Sequence, residues 1–138
     1  STQTAMKRGT LLGYLNYMQK AKLLNLLYCD NTGIKKLQKP DKIYMENTNL
    51  LYALADNPVK QGNLRETFAV NQLLHSHQVE YKKTNGDFLV DGKYTFEVGG
   101  SSKDYTQIAD LPDSYILADD IELPIGHKLP LWLIGFTY

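Results

Sequence analysis

The stretch GDFLVDGKYTFEVGG, from Gly86 to Gly100, constrains the fold more than any other part of the chain. Its alternation of apolar and polar residues reads as a β-hairpin with one acid on each strand, Asp87 and Glu97. Phe88, Val90, Tyr94, Phe96 and Val98 can share one apolar face only if the connection from Asp91 to Lys93 holds an odd number of residues, because a slip of one residue turns every side chain over. A two-residue Asp91-Gly92 turn would send the two acids to opposite faces. The odd loop, with Gly92 supplying an unusual backbone angle at a bulge, leaves a clean apolar face and sets Asp87 opposite Glu97. Directly opposed β-carbons lie about 4.5–5.5 Å apart, where like charges repel unless a cation, a shared proton or a basic group intervenes.

Around this hairpin the chain alternates helical and extended signals. Leu11, Leu12, Tyr14, Leu15 and Met18 recur at helical spacing after Thr10, a plausible cap, and predict an amphipathic helix running toward Ala21. Leu23 to Tyr28 reads as a buried strand, Asp30 to Pro40 as a loop, Ile43 to Met45 as a short strand and Asn47 to Ala55 as a short helix. A longer helix is expected from about Asn63 to Ser76, then strands at Val79 to Lys82 and Ser114 to Ala118, with a helical turn from Tyr105 to Asp110. The tail LPLWLIGFTY is either a last helix or a last strand; periodicity does not decide. Helices interspersed with strands and one clear hairpin point to an α/β fold with a mixed sheet.

With 138 residues, 43% of them hydrophobic, the chain can bury one ordinary core but not two full domains. Lysine plus arginine equals aspartate plus glutamate at 15 each, so no global charge excess draws it to nucleic acid or membrane, and any such contact must come from a local patch. One cysteine, Cys29, excludes an internal disulfide and favours a reducing compartment. Without a signal peptide or a spanning apolar run, the expected location is the cytoplasm, with no membrane contact. The chain opens on Ser1 in what already reads as mid-structure, so a piece of a longer protein is expected.

Glu66 lies on the stripe of Ala69, Val70 and Leu73 and so points at the core, where a carboxylate needs a salt bridge, a raised pKa or a metal. Pairing with Arg65 or another basic neighbour is one answer. The other is a site in which Asp87, Glu97 and Glu66 hold an oxygen-liganded cation such as magnesium or manganese. A hairpin that alternates merely for solubility fits the spacing at least as well. Lys35, Lys36 and Lys39, with Lys42 beyond, form a basic loop that could meet phosphates or simply face water. His75 and His77, two apart, do not make the i, i+4 pair of a helical zinc site, and Asp119, Asp120 and Glu122 read as a solvated loop. No P-loop signature occurs, so ATP is not bound by that route.

Five ordered blocks, LQKPDKIYMENTNLLYAL, GNLRETFAVNQL, GDFLVDGKYTFEVGG, QIADLPDSYILADDIE and LPLWLIGFTY, resemble the C-terminal region of bacterial AAA-type ATPases of the DUF4143 type. LGYLNYMQKAKLLNLL extends the resemblance to the start of the chain. It implies a partner, an N-terminal P-loop ATPase domain that would carry the ATP site. It also implies a restriction-endonuclease-like fold of the PD-(D/E)XK kind over residues 45–138, with a small winged-helix-like segment over residues 1–44 whose helix Thr10 to Lys22 could face DNA. Within that pattern Asp87 matches the first acid, Glu97 the acid of (D/E)XK and Glu66 the helix acid, while Gln107 and Tyr115 resemble a glutamine and a tyrosine placed after the hairpin. Two residues after Glu97, where the family's lysine would orient the attacking water, stands Gly99; Lys103 could substitute if the chain curls back. The resemblance therefore implies, first, a catalytically degenerate accessory module that binds nucleic acid or a protein partner and requires no cofactor. It leaves two alternatives: a magnesium-dependent DNA endonuclease using Asp87, Glu97 and Lys103, and a purely structural or dimerisation domain.

Overall fold

The computed structural model describes residues 6–29 and 38–137. Helix α1 (Arg8–Lys20) leads into strand β1 (Leu24–Leu27), which pairs antiparallel with β2 (Lys42–Met45). Helices α2 (Thr48–Leu54) and α3 (Gln61–Leu73) follow. The main sheet comprises β3 (Val79–Tyr81), β4 (Phe88–Val90), β5 (Tyr94–Gly99), β6 (Ser114–Ala118) and β7 (Lys128–Pro130), hydrogen-bonded in that order. Its first three strands run antiparallel, and β5, β6 and β7 run parallel. The mixed α/β expectation holds at this level.

Local chemistry explains most boundaries. Asn47 caps α2, its Oδ1 accepting from the Leu50 N–H at 2.9 Å. Thr10, expected as a cap, instead lies inside α1, which begins after Lys7 without a side-chain cap and ends on Lys20, a cation suited to the negative end of the helix dipole. The hairpin register pairs Phe88 with Phe96 and Val90 with Tyr94, as the parity argument requires, and the three-residue loop turns through left-handed Asp91 and Gly92. The tail divides: Leu129 and Pro130 end β7, and Leu131–Phe136 form a 3-10 helix.

One core holds both sheets together. Phe88, Val90 and Val98 meet Ala69, Val70 and Leu73 of α3, Leu27 and Tyr44 of the small sheet, and Leu131 and Ile134 of the final 3-10 helix. Each of the buried Val, Leu, Ile and Phe side chains contributes about 1.5–3 kcal/mol by leaving water. The opposite face of the main sheet carries a smaller cluster of Ile108, Ile116 and Ala118 beneath the 3-10 turn Thr106–Ile108. The α1 stripe does not join either cluster: the helix buries no residue, and Leu11, Tyr14, Tyr17 and Met18 are exposed. Among the described residues no helix is long and apolar enough to cross a membrane.

Candidate acid and lysine site

Asp87 sits where the hairpin ladder ends. Gly86 delivers it with φ +111°, a conformation that side-chain-bearing residues rarely adopt, and a β-carbon there would lie 2.6 Å from the Thr95 Cγ2. Beyond Phe88 the backbone leaves register: the Asp87 N–H donates to the Phe96 carbonyl at 2.8 Å, and the Asp87 Oδ2 accepts from the Val98 N–H at 2.7 Å. Burial pushes the Asp87 carboxyl up to about 6; the Val98 hydrogen bond and Lys103 oppose this, while Glu97 and Glu66 add to it. Gly86→Ala is expected to cost about 2–3 kcal/mol through backbone strain and the Thr95 clash. A urea midpoint within error of the parent would show that this backbone angle does not hold Asp87 in place.

Glu97, on the opposite strand, is buried at 5% exposure, and a charge there demands compensation. Lys103 supplies it. After β5 the chain turns back, with the Lys103 N–H donating to the Gly100 carbonyl at 3.0 Å, and the Lys103 Nζ reaches the Glu97 Oε1 at 2.5 Å. This hydrogen bond to Glu97 raises the Lys103 pKa against the opposing effect of burial. The stem of Lys103 lies across Gly99, where a β-carbon would fall 2.8 Å from the Lys103 Cβ and 2.9 Å from its Cγ. The glycine at the expected lysine position is thus what lets a later lysine cross over it.

Glu66 faces inward from α3, as its stripe predicts, but its partners are not Arg65. The Tyr44 hydroxyl donates to the Glu66 Oε2 at 2.6 Å, and the Lys42 Nζ lies 3.6 Å from the same oxygen. Burial, then the bond to Glu66, raises the Tyr44 pKa far above the ordinary phenol range, so Tyr44 remains a donor. Arg65 points elsewhere, its Nε 3.1 Å from Asp119 and its Nη2 3.8 Å from Asp120, so part of the expected solvated acidic loop anchors α3 to the end of β6. Tyr44→Phe is expected to lower stability by about 1–2 kcal/mol by leaving the Glu66 carboxylate one donor short. Thermal unfolding measures this, and no change would mean that water replaces the phenol without loss.

The structure therefore brings Asp87, Glu97 and Lys103 together at one end of β5, with Glu66 close enough to influence Asp87 electrostatically. Among the described residues no cluster of three histidine, cysteine, aspartate or glutamate side chains is arranged to hold a metal ion. Lys35 and Lys36 lie outside the described residues, and Lys39 is exposed. Gln107 is exposed on its 3-10 turn, while Tyr115 packs against Phe96 and His127, with ring centroids at 6.0 and 5.6 Å. The expected pairing of Glu66 with a basic neighbour falls on Lys42 rather than Arg65, and Tyr44 was missed as its partner. In β2 Tyr44 is buried and Ile43 exposed, which alternation of apolar residues does not foretell, and a buried phenol's need for a hydrogen-bond partner was the only usable signal. In comparisons with known proteins, no family model, no curated protein and no solved structure matches this chain.

Proposed function

We propose that this chain is a nuclease-like module that hydrolyses phosphodiester bonds of nucleic acid, with Lys103 taking the part of the lysine that the PD-(D/E)XK resemblance expects at position 99. The observation that carries this reading is the Lys103 ammonium on Glu97, its stem across Gly99. Asp87 and Glu97 offer hard oxygen ligands of the kind magnesium or manganese takes, usually from one or two carboxylates with waters completing the shell. Such an ion, when bound, supplies charge neutralisation and a more acidic water. In this reading Lys103 donates to an attacking water or to a phosphate oxygen as charge builds on it. Glu66, engaged by Tyr44 and Lys42, acts in this reading as a support that keeps negative potential near Asp87.

A second reading, a catalytically degenerate nucleic-acid-binding accessory module of a P-loop ATPase, is favoured by the same ion pair: Lys103 neutralises Glu97 where a cation would otherwise be needed. One experiment separates the two. Calorimetric titration with magnesium and with manganese is run on the parent and on Asp87→Asn, beside a plasmid-cleavage assay in the same buffers. Metal binding and cleavage that both disappear in Asp87→Asn support hydrolysis. Binding of DNA without acid-dependent metal uptake or cleavage selects the degenerate module.

A further inference from the structure

A second cluster on the Glu97 face of the sheet is not used by the acid pair. A cavity of about 290 Å³ is lined by Lys103, Asp104, Tyr105, Ile116, His127 and Lys128, among others. Its imidazole is exposed yet held in a fixed orientation. The His127 Nδ1 lies 3.0 Å from the Ser114 carbonyl, which can only accept, so Nδ1 carries a proton and Nε2 becomes a donor only when the ring takes up a second one. Tyr105 stacks on the ring at a centroid distance of 4.8 Å, and Tyr115 approaches it at 5.6 Å. The Tyr105 hydroxyl itself reaches the Ser114 Oγ at 2.5 Å, and the single proton of the fully buried Ser114 hydroxyl is shared between the Leu111 carbonyl at 2.7 Å and the Ile108 carbonyl at 2.9 Å. The platform beneath His127 is therefore rigid.

Beside it the Lys128 ammonium donates to the Ser101 carbonyl at 2.9 Å. Among the described residues no carboxylate forms an ion pair with it, although it lies near enough to Asp104 to help lower that carboxyl's pKa, and two of its three N–H groups have no described partner. The acid at the rim, Asp104, is turned to the Thr106 N–H at 3.0 Å. Lys103 forms the wall shared with Glu97, so a ligand in this cavity would lie against the acid site.

We propose that this cavity is an anion subsite that takes a phosphate of a bound nucleic-acid strand, with Lys128 and the doubly protonated imidazolium of His127 as its donors. The assignment rests on the nucleic-acid reading above. Phosphate oxygens accept charge-assisted hydrogen bonds from lysine and from imidazolium, and the fixed His127 ring, once it takes up a second proton, supplies both with Lys128 one residue away at little ordering cost. Through Lys103, the subsite would fix the strand's path relative to Asp87 and Glu97.

The test follows the imidazole resonances of the intact chain as inorganic phosphate is added, then measures duplex-DNA binding at low salt by the parent, Lys128→Ala and His127→Ala. Phosphate is expected to move His127 and leave His75 and His77 in place, and each substitution is expected to weaken DNA binding about tenfold, as the loss of one charge-assisted contact would. A His127 resonance unmoved by phosphate overturns the subsite, as does Lys128→Ala binding DNA like the parent; in either case the nucleic-acid reading survives if the parent binds. Phosphate at His127 with no DNA binding by the parent overturns the nucleic-acid assignment and the functional reading together.

Discussion

Replacing Lys103 with methionine is expected to lower stability by about 2–3 kcal/mol and, under the proposed activity, to reduce cleavage by at least ~10²-fold. Methionine keeps much of the stem that covers Gly99 but removes the ammonium from Glu97, whose side chain is only 6% exposed. An unpaired buried carboxylate must then take up a proton or admit water. Full loss of a buried partner costs more than this, but Lys103 is one-third exposed, and solvent screens part of the interaction. Urea unfolding at neutral pH reads the effect directly. A change below about half a kcal/mol would show that Glu97 is already neutral or hydrated, and the proposed role of Lys103 would fall with it.

Asp87→Asn is expected to act in the opposite sense on stability and in the same sense on activity. The Asp87 carboxyl titrates near 6 in the folded chain, against an ordinary value near 3.9 for an unfolded aspartate. Between those values the folded state holds a proton that the unfolded state has released. Its stabilising contribution is therefore complete below about pH 4 and is lost as pH rises through about 6. By pH 8 the folded chain carries a buried anion costing on the order of 2 kcal/mol, which asparagine avoids while still accepting from the Val98 N–H. Unfolding measured from pH 4 to pH 8 should give nearly equal stabilities at the acid end and a widening advantage for the variant above pH 5. Parallel curves would mean that Asp87 is not held above its ordinary range. A gain in stability coupled to a loss of cleavage is the pattern of a site kept strained for its chemistry.

How much of this was legible in the chain depends on whether the interaction was local. The hairpin register followed from parity, because period-two alternation over ten residues leaves a single solution. Glu66 was rightly turned inward, and the expected basic neighbour is Lys42; Arg65, the other candidate, is its immediate neighbour on α3, and adjacent helical residues do not face each other. Its actual donor, Tyr44, is 22 residues away, a pairing fixed only by how β2 docks on α3. The return of Lys103 to Glu97 needed a turn after Gly100 that no spacing rule specifies. Likewise the α1 stripe announced an amphipathic helix but not what covers it, since periodicity describes one surface and never its counterpart.

The final 3-10 helix has a consequence for how the chain is made. Leu131 and Ile134 complete the cluster around Val70 and Leu73, and they follow β7 in the chain. During vectorial synthesis α3 therefore emerges with part of its apolar face open, and it stays open while some sixty further residues are polymerised, several seconds at ordinary elongation rates. The nascent chain presents that face to whatever stands at the ribosomal exit.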